Sequence, residues 1–213
     1  AWHSLPAGER ARLMREAARR LRACRDEFAA WEIFEAGKTW SEADADVCEA
    51  IDFLMFYADE AERLAEIPGI SVPGESNRLL YQARGIGVVI PPWNFPLAIL
   101  TGMLSATLVT GNCAILKPSS DTPVVAARFV RLLHEAGVPP GVIGFMPGSG
   151  AEVGEYLGDS PGIHLISFTG SRDVGCRLLQ RASRQVTGQR HIKRVIAEMG
   201  GKNAIIVDAS ADL

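Results

Sequence analysis

One acidic residue is followed closely by glycines, a setting that suits acid–base chemistry. Glu198 precedes Met199 and the pair Gly200-Gly201. Glycines let a ligand lie against the backbone and leave the carboxylate room to move, as a general base requires. Glu198 is therefore a candidate general base. The alternative is an exposed loop glutamate, which is common in any protein.

A proline-rich segment holds a single polar amide. Asn94 lies in the segment 91–96, Pro-Pro-Trp-Asn-Phe-Pro, directly after an apolar run. Prolines and aromatic rings stiffen such a loop, and open α/β sheets bind their ligands where strands end. The Asn94 amide is therefore a candidate donor to a developing oxyanion. The alternative is that it only satisfies backbone groups of the loop.

A turn after another apolar run is a candidate phosphate site. Gly170 permits close backbone approach, and Ser171 stands where a helix begins. The unpaired amides and the positive end of the helix dipole would then face an anion. An ordinary helix start with Ser171 as N-cap fits the same residues equally well.

A second glycine-rich turn is a weaker candidate for dinucleotide binding. Gly148, Gly150 and Gly154 follow an apolar run and precede a predicted helix. Their spacing, GxGxxxG, departs by one residue from the Rossmann fingerprint, and no acidic residue closes a following strand. A plain loop with a closely packed helix fits this turn at least as well.

Several other kinds of site and partner have no support in the sequence. His134-Glu135 lacks the second histidine of a zinc helix, and neither a GxSxG nor a GxxxxGK[ST] motif is present. We therefore expect no metal. The net charge of -3 argues against nucleic acid and anionic lipid as partners. The apolar run 97–109 falls short of the roughly 20 residues of a membrane span, so it predicts a buried helix.

The four cysteines are Cys24, Cys48, Cys113 and Cys176, which lie far apart and form no CxxC pair. This spacing argues against a zinc site and against a disulfide framework. It favours a reducing compartment, and we expect the chain to be cytoplasmic.

Strand and helix patterns alternate along most of the chain. Short, nearly continuous apolar runs predict parallel strands covered on both faces, and periodic runs between them predict helices. The predicted strands are 86–90, 113–116, 142–146, 163–168 and 204–207, preceded by an exposed strand at 74–83. The predicted helices are 9–28, 42–66 with Ser41 as cap, 97–109, 123–136 with Thr122 as cap and Gly137 after its end, 151–157 and 173–185.

These patterns predict an α/β fold with a doubly wound, open parallel sheet. Near residues 70–85 the pattern changes from helices alone to strands that alternate with helices, and this change divides the chain. We expect N-terminal helices at 1–70 that pack on a cofactor domain, a strand within 71–85, and an incomplete Rossmann-like domain at 86–213. Both ends of the sequence look cut, so we expect a fragment.

Taken together and in order, four motifs resemble the signature of the aldehyde dehydrogenase superfamily. They are 92–96 (PWNFP), 116–119 (LKPS), 168–171 (FTGS) and 198–202 (EMGGK). The stretch 35–52 and the long connection 185–195 most resemble the 1-pyrroline-5-carboxylate dehydrogenases. The resemblance covers essentially the whole chain and implies an aldehyde-dehydrogenase-like Rossmann-type sheet that stops before the catalytic domain.

The resemblance implies a binding site for NAD. Residues 90–93 would contribute backbone contacts, Lys117 would bond the adenine ribose, Gly150, Gly154 and Val174 would flank the adenine, and Ser171 would hold the pyrophosphate. Ser120 stands where many relatives have a glutamate, so NADP becomes possible beside NAD. The implied cofactor-binding residues are Ile90, Pro91, Pro92, Trp93, Lys117, Ser119, Ser120, Gly150, Gly154, Phe168, Thr169, Gly170, Ser171, Val174, Glu198, Met199 and Gly200.

The resemblance also implies a reaction, the oxidation of an aldehyde to a carboxylate through attack by a cysteine thiolate. Asn94 would stabilise the oxyanion and Glu198 would activate water. The nucleophilic cysteine would lie beyond Leu213. The implied substrate is L-glutamate γ-semialdehyde, in proline degradation and possibly within a bifunctional enzyme. A different aldehyde and a non-catalytic nucleotide-binding chain remain as alternatives.

The exposed strand predicted at 74–83 resembles the oligomerisation ribbon of the family. An unpaired edge strand needs a partner. We therefore expect a homo-oligomer.

Overall fold

The computed structural model describes residues 2–212 and contains a five-stranded parallel sheet. The order β3-β2-β1-β4-β5 places β1 at the centre. Val88 and Val89 in β1 are fully buried because helices cover both faces of the sheet. The strands are β1 Ile86–Ile90, β2 Cys113–Leu116, β3 Ile143–Phe145, β4 Leu165–Gly170 and β5 Arg194–Met199.

Three helices precede the sheet and four α-helices accompany it. A short 3-10 turn, Trp2–Ser4, comes first, and one turn of π-helix, Gly150–Gly154, leads into α6. The α-helices are α1 Ala7–Ala23, α2 Arg25–Ala36, α3 Trp40–Ala65, α4 Ala98–Val109, α5 Pro123–Glu135, α6 Glu155–Asp159 and α7 Arg172–Ala182. Within residues 2–212, no helix is long and apolar enough to cross a membrane.

The strand order reverses at β1, and this reversal sets the position of the site. The chain runs from β1 to β2 and β3 on one side, then returns to β4 and β5 on the other. All neighbouring strands pair in parallel, so their carboxyl ends share one edge. The crossovers diverge between β1 and β4, which leaves a crevice at that edge.

The first three helices pack against α4 and α5 in one continuous core. The α4 sequence is apolar nearly all round, which is typical of a helix enclosed on every side. Gly102 of α4 lies against the Phe53 ring of α3, where an added Cβ would come within 3.2 Å of the ring. The helices between residues 2 and 65 thus share a core with the sheet, and the separation of residues 1–70 as a domain stays a prediction.

Two predictions about the N-terminal helices were wrong in detail. The helix predicted at 9–28 is two helices, because the chain breaks at Cys24 between α1 and α2. The cap of α3 is Thr39 rather than Ser41. Thr39 and Glu42 form a reciprocal capping box, which the spacing of a threonine and a glutamate three residues later indicates.

The strands predicted at 74–83 and 204–207 are not formed. Both segments lack regular secondary structure and are largely exposed, because neither has a strand to pair with in the described residues. The last strand is β5, which was not predicted; its first two residues were assigned to the connection 185–195. Its burial alternates along the strand, as expected for a sheet edge covered on one face, so a search for continuous apolar runs passed over it.

The remaining boundaries differ by small shifts. The fourth strand was predicted at 163–168 but spans Leu165–Gly170, so Thr169 and Gly170 belong to the strand rather than to the turn. The third strand, predicted at 142–146, is only Ile143–Phe145. The helix predicted at 151–157 begins as a π-turn, and the helix predicted at 173–185 ends at Ala182.

The N-terminus of α5 is capped by a residue that is distant in sequence. Thr122 occupies the N-cap position, as predicted, but its side chain makes no capping hydrogen bond. The Glu35 carboxylate accepts instead from the amides of Val124, at 2.6 Å, and Val125, at 2.8 Å. A carboxylate is doubly favourable there because it also faces the positive end of the helix dipole.

Removing this remote cap should destabilise the protein. We expect Glu35→Ala to lower the free energy of unfolding by about 1–2 kcal/mol, the usual cost of losing an N-cap. Thr122→Val removes the hydroxyl at nearly constant volume and should cost clearly less. Urea unfolding of both variants makes the comparison, and a larger loss in Thr122→Val would contradict the assignment of the cap to Glu35.

Three ionisable groups are buried together between α2 and α3. The Lys38 ammonium lies 2.8 Å from Asp46 Oδ2 and 3.2 Å from Glu32 Oε2. Glu32 is 0% exposed and Asp46 is 1% exposed. Burial, followed by the neighbouring Asp46, raises the pKa of Glu32 well above its ordinary value despite the opposing effect of Lys38. We call Glu32, Lys38 and Asp46 the Lys38 cluster.

The pKa of Glu32 makes stability depend on pH. The folded protein keeps the Glu32 proton to higher pH than the unfolded chain does, so the free energy of unfolding should fall as pH rises above about 4.5. The slope from one such group is at most about 1.4 kcal/mol per pH unit. We expect Glu32→Gln to flatten this slope between about pH 5 and pH 8. Urea titrations across that range test this, with exposed Glu66→Gln as the control that keeps the wild-type slope.

Candidate functional site

A cavity of about 770 Å³ opens at the carboxyl edge of the sheet, at the reversal of strand order. The loop after β1, the loop after β2, the π-turn, the ends of β4 and β5, and α7 contribute its walls. Asn94 and Glu198 both line it, as does every residue predicted to bind the cofactor. Those residues are Ile90, Pro91, Pro92, Trp93, Lys117, Ser119, Ser120, Gly150, Gly154, Phe168, Thr169, Gly170, Ser171, Val174, Glu198, Met199 and Gly200.

The register of the paired strands places motifs that are distant in sequence side by side at the same edge of the sheet. Ile90 is opposite Phe168, which brings the start of the proline-rich loop next to the end of β4. Thr169 is opposite Glu198, and Gly170 is opposite Met199. The candidate base and the candidate phosphate turn therefore lie on adjacent strands. Parallel pairing, and not closeness in sequence, builds the site.

The proline-rich loop presents Asn94 toward the solvent side of the cavity. Pro91 and Pro96 are buried at the two ends of the loop, whereas Trp93 and Asn94 are exposed. Within residues 2–212 the Asn94 side chain has no hydrogen-bond partner. The role of satisfying loop backbone groups therefore finds no support, and the amide is available to a ligand.

Lys117 is a buried cation at the end of β2. The residue is 5% exposed, and its ammonium donates to the Pro118 carbonyl at 2.9 Å. Desolvation by burial lowers its pKa. An ammonium carries three donors, and this contact uses only one. Lys117 can therefore offer further hydrogen bonds to a polar ligand in the cavity.

Glycines shape two walls of the cavity. A Cβ added at Gly150 or Gly154 would meet nothing within 4 Å, so a ligand has free access to that backbone. Gly148 has φ +155° and packs closely on Val153, which fixes the start of the turn. A Cβ at Gly175 would lie 2.5 Å from Met199 Sδ, so a glycine there lets α7 approach β5.

The first turn of α7 lines the cavity, and the first amides of a helix have no partner within it. Ser171 occupies the N-cap position in an extended conformation, but its side chain makes no capping hydrogen bond. The alternative of an ordinary serine cap therefore has no support within the described residues. A hydroxyl, free amides and the positive helix end together suit an anion.

Sequence reasoning missed several residues that line the same cavity. One charged group is on α7, where Arg181 pairs with Glu155 at 2.6 Å and closes the outer wall. Helical spacing from Val174 would have pointed to this face of α7. The missed lining residues are Asp121, Ala151, Glu155, Arg177, Leu178 and Arg181.

Two further observations concern the cysteines and a metal site. None of the cysteines, Cys24, Cys48, Cys113 and Cys176, lines the cavity. Within residues 2–212 no group of three or more histidine, cysteine or acidic side chains is arranged to hold a metal ion.

The exposure of Asn94 predicts that it contributes little to folding. We expect Asn94→Ala to change the free energy of unfolding by no more than about 0.5 kcal/mol. Asn112 is the matched control because it is buried and accepts from the amides of Arg84, at 2.7 Å, and Gly85, at 3.0 Å. Asn112→Ala should cost about 1–3 kcal/mol. Equal losses in thermal or urea unfolding would show that Asn94 is structural.

Comparison with known proteins gives consistent matches over the chain. The sequence model described as the aldehyde dehydrogenase family matches residues 1–213. The 1-pyrroline-5-carboxylate dehydrogenase of Geobacillus kaustophilus is 55% identical over 213 residues, which are 100% of this chain and 41% of that protein. The chain thus spans about two fifths of the length of the curated relatives it matches.

Solved structures match the fold closely. The 1-pyrroline-5-carboxylate dehydrogenase from Thermus with bound NAD has a TM-score of 0.91 and 46% identity, covering 94% of this chain and 39% of that chain. Proline utilization A from Bdellovibrio bacteriovorus, inactivated by N-propargylglycine, has a TM-score of 0.89 and 43% identity, covering 94% of this chain and 21% of that chain.

Proposed function

Because the chain belongs to the aldehyde dehydrogenase family, we propose that it supplies the dinucleotide site, the oxyanion donor and the general base of an NAD-dependent aldehyde dehydrogenase. The proposed reaction is the oxidation of L-glutamate γ-semialdehyde to L-glutamate in proline degradation. The observation that carries the proposal is that Asn94, Glu198 and every expected cofactor residue line one cavity.

We propose that NAD lies across the carboxyl edge of the sheet. Lys117 donates to the ribose hydroxyls, and the amides at the start of α7, with Ser171, hold the pyrophosphate. The open backbone at Gly150 and Gly154 receives the adenine together with Val174. When bound, NAD supplies the hydride acceptor of the reaction.

The two proposed catalytic residues, Asn94 and Glu198, act on the aldehyde oxygen and on a water molecule, respectively. The Asn94 amide donates a hydrogen bond to the oxygen that becomes negative as the aldehyde is attacked, and its lack of a competing partner leaves it available for this. Glu198 takes a proton from the water that releases the carboxylate product. Both residues line the same cavity, as a shared reaction centre requires. The attacking cysteine we place beyond Leu213.

The proposed substrate rests on the names of similar proteins. The Geobacillus kaustophilus and Bacillus subtilis proteins, 55% and 52% identical, are both named 1-pyrroline-5-carboxylate dehydrogenases. The match to proline utilization A is consistent with a role in proline degradation. The position of all four cysteines outside the cavity favours a second candidate for the chain alone, a nucleotide-binding unit without catalysis.

We also propose a cytoplasmic homo-oligomer. The cysteines form no disulfides, which suits a reducing compartment. Leu79, Leu80 and Tyr81 are exposed in the segment before β1, where a large apolar surface indicates contact with another protein surface. Size measurement of the purified protein in solution tests the oligomer, and a monomer would refute it.

The first test compares this chain with the complete product of its gene. We expect the complete protein to form NADH from glutamate γ-semialdehyde, whereas this chain alone binds NAD without turnover. Nucleotide binding to both proteins without turnover by either would favour the non-catalytic candidate. Turnover of other aldehydes only would support an aldehyde dehydrogenase of different specificity.

Substitutions in the complete protein test the assigned roles. Asn94→Ala should lower kcat by about 100–1,000-fold, the usual loss on removing one oxyanion donor. Glu198→Gln should abolish steady turnover yet leave the first rapid formation of NADH, because water activation follows hydride transfer. Burst kinetics separate these steps. Loss of the burst in Glu198→Gln would contradict its role as a base for water alone.

The cofactor contacts make a separate prediction. Lys117→Met should weaken NAD binding by about 10–100-fold through the loss of hydrogen bonds to a charged donor. Ser120→Glu should weaken NADP binding much more than NAD binding, because a carboxylate repels the 2′-phosphate. Calorimetric titration measures both. If Ser120→Glu weakened the binding of both nucleotides equally, Ser120 would not lie beside the ribose 2′ position.

A further inference from the structure

The Lys38 cluster lies outside the cavity yet touches the loop that carries Asn94. The Lys38 ammonium lies 4.7 Å from the centroid of the Phe95 ring, a cation–π contact. Asp46 Oδ1 accepts a hydrogen bond from the Ala98 amide at 3.1 Å. Phe95 follows Asn94 directly, and Ala98 is the first residue of α4.

These two contacts hold the loop from its carboxyl side. Pro96 and Leu97, which lie between Phe95 and Ala98, are buried. One end of this short segment is fixed by the Lys38 ammonium and the other by the Asp46 carboxylate, and Lys38 joins the two by pairing with Asp46 at 2.8 Å. The Lys38 cluster therefore contacts the loop on both sides of the point where it enters α4.

The prolines stiffen the loop that carries Asn94, but no hydrogen bond within residues 2–212 fixes the Asn94 side chain itself. Its side chain is exposed, and the loop is held by no regular secondary structure. An oxyanion donor must nevertheless be placed to within a fraction of an ångström, because a misplacement of about 1 Å costs about 100-fold in rate. Burying charged groups costs desolvation free energy, and apolar replacements of buried ion pairs are often equally stable. Joining two helices therefore does not by itself account for these buried charges.

We propose that Lys38 and Asp46 are positioning residues, which hold the Asn94 amide in place through Phe95 and Ala98. The inference rests on the proposed function, because it assigns the pair to the same reaction. Lys38 and Asp46 touch neither substrate nor cofactor in this arrangement. Their effect on the reaction passes through Asn94.

The test uses the complete gene product with three single variants, two double variants and one control variant. Lys38→Met removes the ammonium, and Phe95→Leu removes the ring beneath it at an exposed site. Asn94→Ala is combined with each. The matched control is Arg15→Met, because Arg15 joins α1 to α3 through Asp59 and Glu62 and has no contact with residues 91–98.

We expect Lys38→Met to lower kcat at least tenfold and Phe95→Leu to lower it about threefold, with the KM for NAD within twofold of wild type. Arg15→Met should leave kcat within twofold. In the Asn94→Ala background, Lys38→Met and Phe95→Leu should each change kcat by less than twofold, because residues that act as one unit are not additive. Multiplicative losses, or equal losses in Arg15→Met, would overturn the proposal.

Hydrogen exchange separates the failure of this inference from the failure of the proposed function. The backbone amides of residues 95–98 should exchange faster in Lys38→Met and Phe95→Leu than in Arg15→Met, whether or not the protein turns over. A wild-type protein without dehydrogenase activity would refute the proposed function. Unchanged exchange at residues 95–98 would refute the positioning role on its own.

Discussion

The parallel pairing of β1 with β4 is the constraint on which the rest of the structure depends. It joins strands that are separated by three crossover connections in the chain, and it places Ile90 level with Phe168. The crevice exists because the crossovers leave β1 and β4 toward opposite sides. A shift of one residue in this pairing would exchange the side chains that a strand buries in the two cores, one on each face of the sheet, so the packing of both cores holds the register. The geometry of the cavity is thus set by packing that lies well away from it.

Sequence patterns predicted the parts of the fold that arise from local rules. The strands β1 and β2 and the helices α4 and α5 have periodic or continuous apolar patterns, and they were found almost to the residue. Elements that depend on a partner were missed. The strand β5 has a half-covered pattern that acquires meaning only beside β4, and the run at 204–207 has a strand's composition without a strand to pair with.

In the candidate site, too, locally determined features could be predicted from the sequence, whereas contacts between distant segments could not. Gly170, Ser171 and Asn94 could be singled out because each stands after an apolar run, and strand ends gather at one edge of a parallel sheet. Glu198 could be singled out because glycines follow it. Neither spacing nor composition predicts a contact such as Glu35 with the start of α5, because the two are far apart in the chain and meet only after the helices pack. The buried charges of Glu32 and Asp46 were equally invisible, since a helical carboxylate normally faces water.

The outer edge of β5 has a practical consequence. Its free hydrogen-bonding groups lie next to Ile196, which is largely exposed, and the following segment exposes Ile205 and Ile206, the latter 94% accessible. An open strand edge beside exposed branched residues is a template for adding further strands from neighbouring molecules. We therefore expect the isolated chain to self-associate through this edge as its concentration rises, and a lysine at position 196 to oppose that association.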